Sequence, residues 1–546
     1  MGLERRLRAR NENPQVRSLA TILNSYDQVP YPSFPYSKTH PDHIAAIATL
    51  LGLKPSTAPY RVLELGCASG GNLIPMALAR PECDYVGIDA SARQVEHGRQ
   101  TIQLLQLENI SLQYRSILDV YESLGLFDYI ICHGVFSWVP TDVQEKILSI
   151  CGSHLTKNGI AYVSYNTEPG WRQKGALRDM MRYHVDRVPN TSAGEKIASA
   201  RDLLDFLVQA TQSSSSAYGS MLREQHAMLK HHSDAYVFHE HLEEHNDPLW
   251  FLDFSKRLEA HRLQFLGEAD FGSMVASMSW PSDVQKRLDG MTRNLLEQEQ
   301  YMDFVRNRAF RQSLICHASR SPSYAIRGDR ISKLYAASSG SVVPRSTDEP
   351  NRSNKEWLFE LANGESLSTA SRTTQLVFEH LGRVWPERVA VEKLLDDAIA
   401  GATLDVKDLQ DAKKVLEVSL FNIYSSTSGR LIELSAAPLD MVSVKSARPI
   451  VNALARILAK QGAPVVNRRH EVVEIAPVDR RIMPLLDGTR QEVDVLEEMV
   501  RQNKKLDLEL RTEDDNLITD PEAIRVILTS LIPERLRYYE RSSLLD

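Results

Sequence analysis

The sequence predicts an α/β fold in its N-terminal part, a doubly wound parallel sheet, and three observations predict it. The run Arg61 to Gly71, RVLELGCASGG, reads as a hydrophobic strand that breaks into a glycine turn and opens a helix. A second strand ends in Asp89, 23 residues after Gly66 and close to the ~20-residue spacing of a carboxylate that holds a ribose. Strand and helix patterns then alternate as far as Tyr165, as they do in βαβ units.

The elements follow in order. The proline- and tyrosine-rich stretch SYDQVPYPSFPYSKTH predicts an extended arm that leads into a helix from about Pro41. Tyr26, Tyr31, Tyr36 and His40 either cover a ligand mouth as a lid or pack a domain edge. Val62, Leu63 and Leu65 supply the apolar run of a buried strand, with Glu64 near its carboxyl end. Gly66, Gly70 and Gly71 let backbone approach a ligand, but Ala68 stands where the dinucleotide fingerprint needs its middle glycine, which counts against a nicotinamide enzyme. A helix Leu73 to Ala79, a strand Tyr85 to Ile88, a helix Arg93 to Leu105 and a strand Ser111 to Tyr114 lead to Ile117-Leu118-Asp119, an acid at a third strand end. Tyr129 to Cys132 reads as a buried fourth strand, Thr141 to Thr156 as a helix, Asn158-Gly159 as a turn and Ile160 to Tyr165 as a fifth strand.

This order of elements and acids resembles the class I S-adenosylmethionine-dependent methyltransferases. The resemblance implies a Rossmann-like domain with S-adenosyl-L-methionine as cofactor. It implies that Gly66, Cys67 and Gly70 line the methionine part, that Asp89 takes the ribose and that Asp119 takes the exocyclic amine of the adenine. Glu64, Ala68, Asn72, Ala90, His133 and Gly134 complete the implied cofactor site. The plainer alternative is that Asp89 and Asp119 only end strands as turn formers.

At 546 residues the chain is too long for one core, and ~100 to 200 residues per domain suggests three domains. A net charge of -7 argues against general attraction to nucleic acid, so no nucleic-acid partner is expected. Five scattered cysteines without a C-x-x-C pair indicate neither a disulfide framework nor a zinc site, and a reducing cytoplasm is expected. The opening MGLERRLRAR lacks the apolar segment of a signal peptide, and no run of ~18 apolar residues predicts a membrane span. His239, His241 and His245 invite a metal, but helical geometry puts His239 and His241 on different faces, and no metal is expected.

Further along, ARDLLDFLVQA, SMLREQHAMLK and DVQKRLDGMTRNLLEQEQYMDFVRNRAFRQSLICH read as helix. Arg306, Arg308 and Arg311 then form either a solvent-facing charged helix face or a contact across to the cofactor domain. Ser338 to Asn354 reads as a linker, Ser- and Pro-rich without periodicity. Beyond it, STASRTTQLVFEHLGRVWPERVAVEKLLDDA reads as two helices with a turn at Trp385-Pro386, and LFNIYSSTSGRLIEL as a strand pair, together a winged-helix-like unit. The expected division is 1–58 arm and lid, 59–191 cofactor-binding domain, 192–337 helical middle domain, 338–354 linker and 355–546 winged-helix-like C-terminal domain.

Five blocks carry a narrower resemblance: HGVFSWVP (His133 to Pro140), NTEPGW (Asn166 to Trp171), FHEHLEEHNDP (Phe238 to Pro248), DFVRNRAFRQSLICH (Asp303 to His317) and LLDGTR (Leu485 to Arg490). They are similar to the methyltransferases that carry a methyltransferase regulatory domain, whose best-known members are protein lysine methyltransferases acting on rickettsial outer membrane protein B. The resemblance implies lysine side chains of a protein as acceptor, with a small-metabolite N- or O-methyltransferase or a non-catalytic cofactor-binding regulator as alternatives, and it leaves a homodimer open. Direct displacement at a sulfonium needs alignment rather than a nucleophilic Ser or Cys. His133, Tyr165, Asn166 and Trp171, on the loops after the fourth and fifth strands, are the candidate catalytic residues, with His133 a candidate proton acceptor and Asp487 to Arg490 a tight turn with a local ion pair.

Overall fold

A computed structural model describes residues 25–187, 192–275, 280–325, 327–343, 357–361, 363–402, 409–439, 446–503, 518 and 520–546. The opening segment read for a signal peptide lies outside them.

Seven strands form the central sheet: β1 (Arg61–Leu65), β2 (Asp84–Asp89), β3 (Ile110–Tyr114), β4 (Phe127–Cys132), β5 (Leu155–Asn166), β6 (Leu263–Glu268) and β7 (Phe310–His317). Their order is β3-β2-β1-β4-β5-β7-β6. The first five run parallel, and β7 pairs antiparallel with both β5 and β6. The order reverses between β1 and β4, the switch point at which a doubly wound sheet opens a ligand crevice. Successive side chains alternate between faces. Val62, Tyr129, Ile131, Tyr162 and Leu314 enter one hydrophobic cluster, while Leu63, Leu65, Ile130, Val163, Tyr165 and Ile315 enter the other.

The sequence reading of β1 to β5 holds with ends shifted by a few residues, and the helix Leu73–Ala79 falls as expected. Three expectations are corrected. Asn158-Gly159 is not a turn between elements but lies inside β5, where the register jumps from Phe127↔Leu155 to Tyr129↔Ile160. The RNRAFRQSLICH segment is not helix: the helix Leu295–Arg306 stops at Asn307 in the left-handed conformation (φ 48°), and the chain turns into β7. Likewise LFNIYSS is the end of the helix Leu409–Ser426, and only Glu433–Ser435 beyond it is a strand.

The middle region therefore contributes two strands to the cofactor sheet as well as helices. Its helical part, Ala193–Ala210, Ala217–Leu229 and Asp234–His241, packs on Trp171–Val185 around Leu177, Met181, Leu204, Leu222 and Val237. Ser192 and Glu195 close a reciprocal capping box at the start of the first of these helices. The expected linker is structured at its start: Ser338 is buried and donates to the Leu431 carbonyl, and Ser341–Val342 pairs with Trp357–Glu360. Residues 344–354, the rest of it, lie outside the described residues. Beyond it, Val377, Phe378, Leu395 and Leu434 join the same cluster as β1, whereas Val451, Val465, Met499, Leu528 and Leu545 build a separate core. The turn at Asp487 is as expected, with Asp487 accepting from Thr489 N and paired with Arg490 at 3.1 Å.

Candidate functional site at the switch point

The glycine turn after β1 is tied to β2 and to the arm. Gly66 and Cys67 donate backbone N–H groups to the Ile88 carbonyl, at 2.8 and 3.1 Å. Gly66 and Gly70 take φ of 79° and 74°, a region that costs an L side chain, and Ala68 is held at 48° between them. The Asp89 carboxylate explains why Ala68 stays there: one oxygen accepts from Ala68 N and the other from Ser91 N, each at 2.8 Å. Burial raises Asp89 above its ordinary carboxylate value, against the lowering by these N–H donors.

The arm lies across this turn. Gly71 N donates to Ser33 Oγ at 2.8 Å, Tyr36 N to Asn72 Oδ1 at 3.0 Å, and Gln94 Nε2 to the Tyr31 carbonyl at 3.0 Å. A Cβ on Gly71 would stand 2.4 Å from the Ser33 carbonyl oxygen, so the close approach requires glycine. Of the four lid candidates, Tyr36 sets its ring 3.9 Å from the His133 ring, while Tyr26 stacks on His239 at 4.5 Å and Tyr31 meets His239 edge-on. His40 instead caps the helix Pro41–Leu50 by accepting from Asp42 N. His239 bonds Glu243 at 2.8 Å and the Val29 carbonyl at 2.6 Å, so it anchors the arm.

Glu64 is 4% exposed, and burial pushes its carboxyl up to about 8. One oxygen accepts from Asn72 Nδ2 at 2.8 Å, and the other is buried without a partner. Ala90 follows Asp89 at the end of β2. Asp119 sits exposed on the single 3-10 turn Ile117–Asp119, where its backbone carbonyl accepts from Arg115.

At the end of β4, Gly134 takes φ 68° and donates its N–H to Ser164 Oγ at 2.8 Å. His133 Nδ1 lies 3.0 Å from Tyr162 Oη and 3.3 Å from Ser164 Oγ, and burial pushes the imidazole down to about 4. It is therefore neutral at physiological pH. Asn166 is buried at the end of β5, its N–H donating to Ser137 Oγ at 2.9 Å and its side-chain nitrogen unpartnered. Trp171 meets Trp138 edge-on at 5.9 Å. Tyr165 is not brought to this group. Strand alternation turns it to the other face, stacked on Phe254 at 4.1 Å with its hydroxyl 3.4 Å from Ser313 Oγ. Tyr162 and Ser164, one residue out of step, take the places beside His133.

Four of the five recognised blocks converge here. Asp247 N donates to the Ser137 carbonyl, Leu249 N to Asn166, Thr167 N to Ala309 and Gly170 N to Arg308, all within 3.0 Å. The arginine segment does contact the cofactor domain, through the Arg308 carbonyl and the pairing of Arg311 with Tyr165, but it is not a solvent-facing helix face. Arg311 is fully buried under the sheet, bonded to Glu268 at 2.6 Å, Asp303 at 2.9 Å and Glu299 at 3.1 Å, and it lies over Phe251 at 3.9 Å. Sequence reasoning missed Ser33, Tyr162, Ser164 and His470, because their roles depend on non-local contacts that no spacing announces. His470, from the hairpin loop 467–471, bonds Asn72.

The residues fit a cofactor of the expected kind. Asp89 keeps lone pairs free beyond its two N–H donors, the orphan oxygen of Glu64 suits an ammonium, and a Cβ on Gly134 would meet nothing within 4 Å. A doubly wound sheet with this turn and this acid at its switch point is the cofactor domain of a class I S-adenosylmethionine-dependent methyltransferase. Family models match in succession along the chain: a methyltransferase domain over residues 56–225, a predicted methyltransferase regulatory domain over 233–317 and the PKMT C-terminal winged helix domain over 447–544. Uncharacterized protein RP789 of Rickettsia prowazekii is 31% identical over 99% of this chain and 98% of its own. Uncharacterized protein RP028 of the same organism is 40% identical over 44% of this chain and 96% of its own. PKMT2 from Rickettsia typhi, solved in complex with AdoHcy, superposes with a TM-score of 0.83 at 28% identity, covering 94% of this chain and 100% of that one. The chain belongs to this family, methyltransferases that join the cofactor domain to a methyltransferase regulatory domain and a PKMT winged helix domain, and S-adenosylmethionine is its cofactor. Among the described residues no helix is long and apolar enough to cross a membrane.

Proposed function

We propose that this enzyme methylates lysine side chains of a protein in the cytoplasm. The observation that carries this reading is the match to PKMT2 along nearly the whole chain, accessory regions included. The cofactor supplies a methyl group activated for direct displacement. In this reading Glu64, Gly66, Cys67, Ala68, Gly70 and Asn72 hold its amino-acid end, Asp89 with Ala90 the ribose, Asp119 the adenine, and His133 and Gly134 the wall nearest the reacting carbon.

The lysine must arrive as a neutral amine. Passing its proton, with an ordinary pKa near 10.4, to an imidazole near 4 costs about 9 kcal/mol, so His133 is a poor final base. Its role is to orient: Tyr162 and Ser164 fix its ring, and Tyr36 lies against it. Release of the proton to bulk solvent at pH 7.4 costs about 4 kcal/mol, and the aromatic surround of Tyr36, His133 and Phe310 favours the uncharged amine by desolvation. Asn166 and Trp171 hold the loops together rather than touch the methyl group.

The test is transfer of labelled methyl from S-adenosylmethionine into a lysate of the source organism, followed by hydrolysis of the protein fraction. Methyl-lysine from a few discrete bands is expected. Label confined to small molecules would replace this reading with metabolite methylation.

A further inference from the structure

Asn72 stands at the start of the helix Leu73–Ala79, behind the glycine turn, and its amide has four partners, among them Thr39 Oγ1, which lies 3.0 Å from Nδ2. Tyr36 N donates to Oδ1, which fixes the amide orientation, because the flipped form would oppose two N–H groups. Nδ2 therefore faces Glu64 Oε1 at 2.8 Å. The fourth partner comes from the far end of the chain: His470 Nε2 lies 2.8 Å from Oδ1, so this nitrogen carries the proton and donates.

His470 is 4% exposed and is held at φ 65°, a left-handed backbone that a histidine adopts at a cost. The hairpin Val465–Val466/Val472–Val473 imposes it. Within the loop, Asn467 Oδ1 accepts from Arg469 N and Glu471 N, and Arg469 pairs with Glu433 and donates to the Pro386 carbonyl. The imidazole faces His40 edge-on at 5.3 Å, with the half-buried Arg388 nearby, and burial first, then these two neighbours, keeps it neutral. Its Nδ1 is buried without a partner, as is the outer oxygen of Glu64 at the opposite end of the chain of bonds. A strained, desolvated side chain aimed at the back of the cofactor turn is more than interdomain packing requires.

We propose that His470 is a positioning residue for the cofactor: through Asn72 it aims the Glu64 carboxyl at the ammonium of the cofactor's amino-acid end, so that docking of the C-terminal domain and cofactor binding are thermodynamically linked. The inference rests on the reading of Glu64 and the glycine turn as the cofactor site. Linkage is reciprocal, so bound cofactor also tightens the hairpin loop.

The experiment uses the full-length chain, titrated calorimetrically with S-adenosylhomocysteine. His470→Ala is expected to weaken binding about tenfold and to raise KM for S-adenosylmethionine with kcat held within about twofold. His470→Gln, which restores a donor at similar reach, is expected to recover affinity to within about threefold. Asp89→Ala serves as the reference for the cofactor site itself. If it abolishes binding while His470→Ala lowers only the melting temperature, the inference is overturned and the site stands; if Asp89→Ala binds normally, the site assignment is what fails. Hydrogen exchange of the unmutated protein gives a second readout. Slower exchange in residues 467–471 on adding S-adenosylhomocysteine is expected, and unchanged exchange there overturns the linkage.

Discussion

Two buried polar networks lie on opposite faces of one sheet, and they are finished to different degrees. Around Arg311 the guanidinium meets Glu268, Glu299 and Asp303, Arg308 approaches two of the same carboxylates within 4 Å, and Glu268 also accepts from Gln312 N and Ser313 Oγ. Around Glu64 a single carboxyl has one donor and one orphan oxygen, and Asn72 is its link to His470. The Arg311 guanidinium is fully paired and holds β6 and β7 against the helix Leu295–Arg306, although Arg308 Nη1 beside it is left without a hydrogen bond. An unsaturated carboxyl carries a standing desolvation cost that a ligand can relieve. The difference lies in the acids: the carboxylates around Arg311 are met by donors, whereas Glu64 keeps a buried oxygen without one.

The comparison can be broken at either face. Arg311→Leu strands three carboxylates and is expected to cost about 3 to 5 kcal/mol of folding stability, read as a lower urea midpoint. A loss below about 1 kcal/mol would mean that water already screens the cluster. On the other face, Asp89→Ala is expected to weaken S-adenosylhomocysteine binding by roughly 1.5 to 3 kcal/mol with a smaller change in stability. Equal losses in both would erase the distinction.

Glu64→Gln sharpens it. The folded-state pKa of Glu64 lies near 8, above the unfolded value near 4.3, so the stability it contributes is complete at low pH and is lost as pH rises towards 8. The ligand-free protein is therefore expected to lose stability from pH 5 to pH 8 by up to ~1.4 kcal/mol per pH unit at this group, and Glu64→Gln to flatten that slope. Parallel profiles for the two proteins would remove Glu64 as the titrating group. The smallest effect belongs to Tyr165→Phe, which removes only a long hydroxyl contact to Ser313 on the structural face. Activity is expected to stay within about twofold and stability within about 1 kcal/mol. A large loss of kcat would return Tyr165 to the site.

Local pattern carried the cofactor half well. Strand ends and the glycine turn announce themselves within a dozen residues, so β1 to β5, Gly66 and Asp89 were legible. Asp119 was found as an acid after β3, yet its exposed place on a 3-10 turn was not visible in spacing. Tyr165 was misassigned because reading a strand's identity does not set which face is which, and a one-residue slip exchanges Tyr165 for Tyr162 and Ser164. The strand β7 was hidden because Asp303 to His317 mixes charge and apolar residues without clear alternation. Its inward charges, Arg311 above all, are acceptable only because acids from two other elements meet them. His470 has no signal at all, since its contact spans 398 positions of chain.

The position of β7 in the sheet bears on how this enzyme is made. β5 is a central strand, but the partner that covers its outer edge is not reached until residue 310, well over a hundred residues later. During synthesis β5 stands as an open edge, with Ile160 to Val163 as its apolar stretch, while the helices and β6 between Trp171 and Arg306 emerge. A long wait of that kind slows folding and exposes a template for wrong pairing. Truncated forms that end before Phe310 are expected to be recovered in aggregates, and the yield of the whole chain to rise when synthesis is slowed by growth at low temperature.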